Sequence, residues 1–245
     1  MISLPNECYH EIFNNFQSNY KFLFSCALVN RQWCRVIIPI LWSKPGHHFK
    51  NKKLINILLL SLNAEEQTLL IPFNITLSNY QKPLFEYTSY ITFVSNFLYE
   101  GIRDWLPSKK NKLGNELENA VDFSLITMLL RTSKNLKFLS LNEIICNQII
   151  FEKVYENTTV TSMQLCNVDD GFKYKAIDRL AKILSKDSTL TSLHLSLYQL
   201  EFEGVKTLLE ALYKNTTLNS LDLGGTRIGE TMLAKFLCKN KVEEL

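Results

Sequence analysis

Side chains able to do chemistry are thinly spread through this 245-residue sequence. Its six cysteines, Cys8, Cys26, Cys34, Cys146, Cys166 and Cys238, form no C-x-x-C pair and have no histidines at paired ligand spacing. His47 and His48 lie close to Cys34 in sequence, but adjacent residues do not share one face of a strand or helix, so zinc is not expected there. One titratable pair recurs at a repeat spacing: His194 and Asp222, 28 residues apart (222 − 194). Catalysis needs a nucleophile, a base and an orienting group converging in a pocket, and this pair supplies at most two of them. No phosphate loop, metal cluster or triad spacing accompanies it. The expectation is a non-enzymatic binding protein without a cofactor or metal.

Charge narrows the partners. A net charge of +3 and a pI near 8.4 fall well short of a nucleic-acid footprint. The most basic run, Lys109-Lys110-Asn111-Lys112, reads as a solvated loop between 107 and 114. The first ten residues, MISLPNECYH, lack the basic and apolar regions of a signal peptide. The longest apolar run, Leu54 to Leu62, is interrupted by Asn56 and is shorter than the ~20 residues of a membrane span. Neither nucleic acid nor membrane is expected as a partner. Scattered, reduced cysteines point to the cytoplasm or nucleus. N-x-T triplets begin at Asn74, Asn157 and Asn215; the last two precede strands at matching places, where a turn role suffices.

The elements that must position His194 and Asp222 come from a repeat. TLTSLHLSLYQLEFEGVKTLLEALYKN is followed by TLNSLDLGGTRIGETMLAKFLCKN. Each copy opens with L-x-x-L-x-L (Leu190/Leu193/Leu195, then Leu218/Leu221/Leu223) and closes with an apolar helical pattern (Val205/Leu208/Leu209/Leu212, then Leu233/Ala234/Leu237). Two earlier strands align, Leu136/Leu139/Leu141 and Val160/Met163/Leu165, and Ile177/Leu180/Leu184 supplies the matching helix. A strand-then-helix unit repeating at this length is the leucine-rich-repeat signature, and the 28-residue copy is similar to the ribonuclease-inhibitor type. Such units bury their leucines only by stacking, with parallel strands on a concave face and helices on the convex face of a short right-handed solenoid.

Non-leucine strand positions then face outward in three columns, Lys137/Thr161/Thr191/Asn219, Phe138/Ser162/Ser192/Ser220 and Ser140/Gln164/His194/Asp222. Phe138, Gln164, His194 and Asp222 are the candidate contacts to a protein substrate. The asparagine that this repeat type carries three residues after the last strand leucine is missing. Ile144, Val168, Tyr198 and Thr226 stand there, so irregular turns are expected. Tyr90-x-x-Phe93-x-Ser95 with Phe97/Leu98/Ile102/Trp105 reads as an irregular first repeat, and Leu117 to Leu130 as an amphipathic helix. Val242-x-x-Leu245 begins a fifth strand that is cut off. An uncapped edge exposes leucines, and self-association or a longer chain is the expectation.

Ahead of the repeats, Pro5 is placed to open a helix with Ile12, Phe13 and Phe16 on one face. Phe22, Leu23, Cys26, Leu28 and Val29 follow, then Trp33, Cys34 and the apolar run Val36 to Trp42 around Pro39. These two or three short helices carry more apolar surface than about 45 residues bury among themselves. Leu4-Pro5, Ile12-Phe13, Val29-Asn30-Arg31-x-Trp33 and Leu41-Trp42, in this order, make residues 2–45 resemble the F-box motif. The resemblance implies docking on a Skp-type adaptor, and through it a cullin-based ubiquitin ligase. The adaptor-binding residues it implies are Leu4, Pro5, Ile12, Phe16, Leu23, Leu28, Val29, Trp33, Leu41 and Trp42.

The expected organisation is an α/β chain. A helical module occupies 2–45, a helix-and-loop linker 46–83 (helices at 52–62 and 65–70, loop at 72–82), and the repeats 84–245, irregular over 84–131 and clear from 136. The implied function is that of a substrate-recognition subunit. The alternative is a repeat protein of the inhibitor type whose N-terminal helices only cap the repeats, their apolar faces packed inward.

Overall fold

The computed structural model describes residues 4–75, 85–106, 112–186, 189–196 and 202–224. The protein is mixed α/β and divides into two compact units, Met1–Leu136 and Lys137–Leu245. The expected breaks at 45 and 83 both fall inside the first unit.

The first unit begins with α1 (Asn6–Asn14), α2 (Tyr20–Ala27) and α3 (Arg31–Ser43). Pro5 sits one position ahead of α1, where its carbonyl accepts the amides of Cys8 and Tyr9. Asparagines start the next two helices. Asn19 accepts from the Phe22 amide at 3.1 Å, and Asn30 from the Trp33 amide at 2.8 Å, each satisfying an amide the helix itself cannot. Helix α3 runs straight through Pro39, which deprives the Arg35 carbonyl of its usual donor. Phe13, Leu23, Cys26, Ala27, Val36, Ile37 and Ile40 form the shared core, with Tyr9, Trp33 and Leu41 packed against it.

Beyond this module lie a 3-10 turn (Gly46–Lys50), α4 (Lys52–Leu59), α5 (Ala64–Thr68), a two-residue strand β1 (Phe93–Val94), α6 (Phe97–Trp105) and α7 (Lys112–Thr132). Helix α7 begins at Lys112, so Lys112–Gly114 are helical where the sequence suggested loop. The strand and helix expected around Phe93 and Ile102 are present as β1 and α6. Two joints hold these elements in place, the first of them against the helical module. The Ser43 carbonyl accepts both the amide and the hydroxyl of Thr92. Gly101 of α6 lies against the backbone at Phe49, so closely that a Cβ there would fall 1.9 Å from the Phe49 carbonyl oxygen.

In the second unit, strands and helices alternate: β2 (Phe138–Leu141), α8 (Gln148–Glu156), β3 (Ser162–Cys166), α9 (Asp170–Ser185), β4 (Ser192–Ser196), α10 (Phe202–Lys214) and β5 (Ser220–Asp222). β2 to β5 pair in parallel and in chain order, as strands joined by helical crossovers can. Strand alternation buries Leu139, Leu141, Met163, Leu165, Leu193 and Leu195, and the helices add Ile177, Leu180, Leu184, Val205 and Leu208 to the same core. In β5, the last described strand, Leu221 keeps 41% of its surface exposed, where Leu193 keeps none.

The turns are irregular in the way missing asparagines suggest. Asn142 accepts from the Ile144 amide and opens a 3-10 turn (Glu143–Cys146), and Asn167 takes a left-handed φ of 52°. Ahead of the strands, Asn157 accepts the amides of Thr159 and Val160, and Asn215 those of Thr217 and Leu218. Both therefore fill the turn role read from their matching positions. Tyr198, Thr226, Leu233/Ala234/Leu237 and Val242–Leu245 lie outside the described residues. Among the described residues, no single helix is long and apolar enough to cross a membrane.

Candidate functional site

Two surfaces carry the candidate residues. The first belongs to the three-helix module. Asn6 at the start of α1 accepts a hydrogen bond from the Gln32 side chain in the first turn of α3, at 3.1 Å. The Tyr9 and Trp33 rings lie 6.0 Å apart. The leading ends of α1 and α3 are thus held together, which brings the two residues entering α1, Leu4 and Pro5, to the same end as the two preceding Asn30, Leu28 and Val29. All four are exposed, Leu28 by 73% and Val29 by 61%. At the far end of α1, Phe16 meets Phe22 of α2 with ring centroids 4.7 Å apart, and Ile12 and Phe24 are exposed as well.

Not every residue assigned to adaptor contact is available for it. Leu23 is wholly buried in the three-helix core and serves packing. Trp33 lies edge-on against Phe13 at 5.0 Å and is half-buried. Leu41 packs on the same core. Trp42 stacks on Tyr87 at 4.4 Å, an internal joint of the first unit next to the Ser43–Thr92 bonds. These four hold the module together and in place; Leu4, Pro5, Ile12, Phe16, Leu28 and Val29 face out. Sequence reasoning missed Phe22 and Phe24 as surface residues. Helical spacing over the eight residues of α2 groups Leu23, Cys26 and Ala27 on one face but does not say which face is covered.

The second surface is the ladder. The registers Gln164↔His194 and His194↔Asp222 set an amide, an imidazole and a carboxylate side by side on successive strands. The expected neighbour Ser140, opposite Gln164, is fully buried and lies 3.6 Å from the Cys166 sulfur, so it offers nothing outward. Burial pushes the Cys166 thiol up, opposed by Ser140. Phe138 is half-buried, in register with Ser162.

His194 Nδ1 lies 2.6 Å from Asp222 Oδ2, and the Gly224 amide donates to Asp222 Oδ1 at 2.8 Å. These two bonds, the Gly224 amide first, hold the Asp222 carboxyl below the usual carboxylate range. A hydrogen on Nδ1 is shared with Asp222, and in that tautomer Nε2 points away as the second polar atom of the ring. Thr161 and Thr191 turn their hydroxyls back to carbonyls of the preceding strand, so this column is spent on the ladder itself.

Among the described residues, no group of three or more histidine, cysteine or acidic side chains could hold a metal ion. The His47 and His48 rings lie tilted to each other, 4.1 Å apart. The chain matches no protein-family model, no curated protein and no solved structure.

Proposed function

We propose that this chain is a non-enzymatic recognition subunit. Its helical module docks on a Skp-type adaptor linked to a cullin, and its strand ladder presents a protein substrate to the ubiquitin ligase. One observation carries the reading: Leu4, Pro5, Leu28 and Val29 are gathered, exposed, at one end of a module whose core is already filled. An apolar end of this kind marks a protein interface. The alternative, a cap serving only the repeats, expects those apolar faces to pack inward. Trp33, Leu41, Trp42 and Leu23 do so, but Leu28, Val29 and Phe24 do not.

Co-purification of the intact chain with a Skp-type adaptor tests the proposal. Wild type is expected to retain adaptor, and Leu4→Ala/Pro5→Ala and Leu28→Asp/Val29→Asp to lose it, with helical content unchanged. No adaptor binding by the folded wild-type chain sinks the proposal and leaves the cap reading.

A further inference from the structure

We infer that the Gln164–His194–Asp222 row is a subsite for a basic side chain, lysine or arginine, of the bound protein. The inference rests on the ladder being the substrate-presenting surface. Parallel strands lie ~4.8 Å apart, so the three side chains line up at that spacing across β3, β4 and β5. What they offer is a set of acceptors. Gln164 has its carbonyl oxygen. His194 has Nε2 in the tautomer whose Nδ1 hydrogen is shared with Asp222.

Asp222 uses one lone-pair direction of each oxygen, for His194 and for Gly224, and a carboxylate has about four in all. Its carboxylate is therefore held in place with lone pairs still open to a partner. His194 is one-third exposed at its side chain and Asp222 nearly two-thirds, so both are within reach of a partner.

Charge decides which partner. Asp222 is the one formal charge at the described positions of β3, β4 and β5. Lys137, ahead of β2, stands three strands away, roughly 14 Å at the usual strand spacing and beyond a Debye length in physiological salt. An anionic group at this row would meet Asp222 directly. A guanidinium, whose donors fork in one plane, can span two neighbouring acceptors, and an ammonium can reach either. The surrounding positions, Ser162, Ser192, Ser196 and Ser220, are small and leave room for an incoming side chain.

The test uses the full-length chain, isotope-labelled, with four capped tripeptides as probes: Gly-Arg-Gly, Gly-Lys-Gly, Gly-Gln-Gly and Gly-phosphoserine-Gly. The side-chain signals of His194 and Gln164 are followed through each titration. Arginine and lysine probes are expected to shift both signals and to bind at least about tenfold better than the glutamine probe, a preference weakened by salt. Asp222→Asn, which keeps size and the Gly224 bond, is expected to erase that preference, and His194→Gln to reduce it. Equal binding by Asp222→Asn, tighter binding of the phosphoserine probe, or no shift with any probe overturns the subsite. Adaptor co-purification of the same variants is measured alongside. Retained adaptor with no basic-probe binding refutes the subsite alone, whereas lost adaptor binding in wild type refutes the functional reading alone.

Discussion

Arg131 of α7 donates from Nε and Nη2 to the two carboxylate oxygens of Glu66 in α5, each at 2.8 Å. The same carboxylate takes the Asn63 amide, while Asn63 caps the Glu66 amide in return. Glu66 is only 4% exposed, and the Ser124 hydroxyl donates to its backbone carbonyl. One buried acid thus closes a short helix and fastens it to a long one.

Glu66→Ala should therefore cost more than a surface ion pair. Breaking a buried pair costs ~3–5 kcal/mol, but the Arg131 side chain is 38% exposed and recovers hydration, so about 2 kcal/mol is expected. Urea denaturation of the full chain reads this as a lowered midpoint of the first unit's transition. A change below about 0.5 kcal/mol, the range of an exposed pair, would show the bond to be decorative.

Gly101→Ala sets two effects against each other. Alanine favours a helix by ~1 kcal/mol over glycine. Here its methyl would lie 1.9 Å from the Phe49 carbonyl oxygen, a backbone atom that cannot rotate away. Overpacking of this severity costs ~3 kcal/mol, and the clash wins. A net loss of about 2 kcal/mol should appear as a fall in Tm, while Gly171→Ala, with open space around it, should leave Tm level or raised.

His48 should make the first unit acid-sensitive. Its Nε2 is buried without a partner, Tyr20 lies edge-on at 4.5 Å, and burial, then His47, hold the imidazole below its usual 6.5. Lys44 precedes this turn in sequence, and Lys50 at its end pairs with Glu100 of α6. Because the folded value is depressed, the unfolded chain takes up the proton first. Stability is then complete above about pH 6.5 and falls as pH drops toward the folded value. Melting curves between pH 7.5 and 5 should show this slope in wild type and less of it in His48→Gln. Parallel slopes would remove His48 as the cause.

The repeats were legible because one residue type at fixed spacing does one job. Leu193 and Leu195 alternate into the core, and Met163/Leu165 does the same one strand earlier. From that spacing the His194–Asp222 register followed directly. The module's helices were legible too, from Pro5 and the apolar periodicity that follows it. What could not be read was which apolar residues of the module face out. Leu23 and Phe24 are adjacent and equally apolar, and only the position of α3 and its Val36/Ile37/Ile40 face separates core from surface. Trp42 was hidden for a related reason, as its stacking partner Tyr87 lies 45 residues on (87 − 42). Ser140 looked outward by parity, yet parity says nothing of what covers a strand.

The corner hydroxyls of the second unit tie each repeat to its neighbour. Thr189 donates to the Val160 carbonyl and Thr217 to that of Leu190, so each later repeat is pinned to the one before it. Asn215 also reaches back, to the Leu184 carbonyl. Each such bond spans two repeats and is lost when either partner leaves. Removing one repeat therefore strands polar groups on its neighbour, which couples adjacent repeats in unfolding.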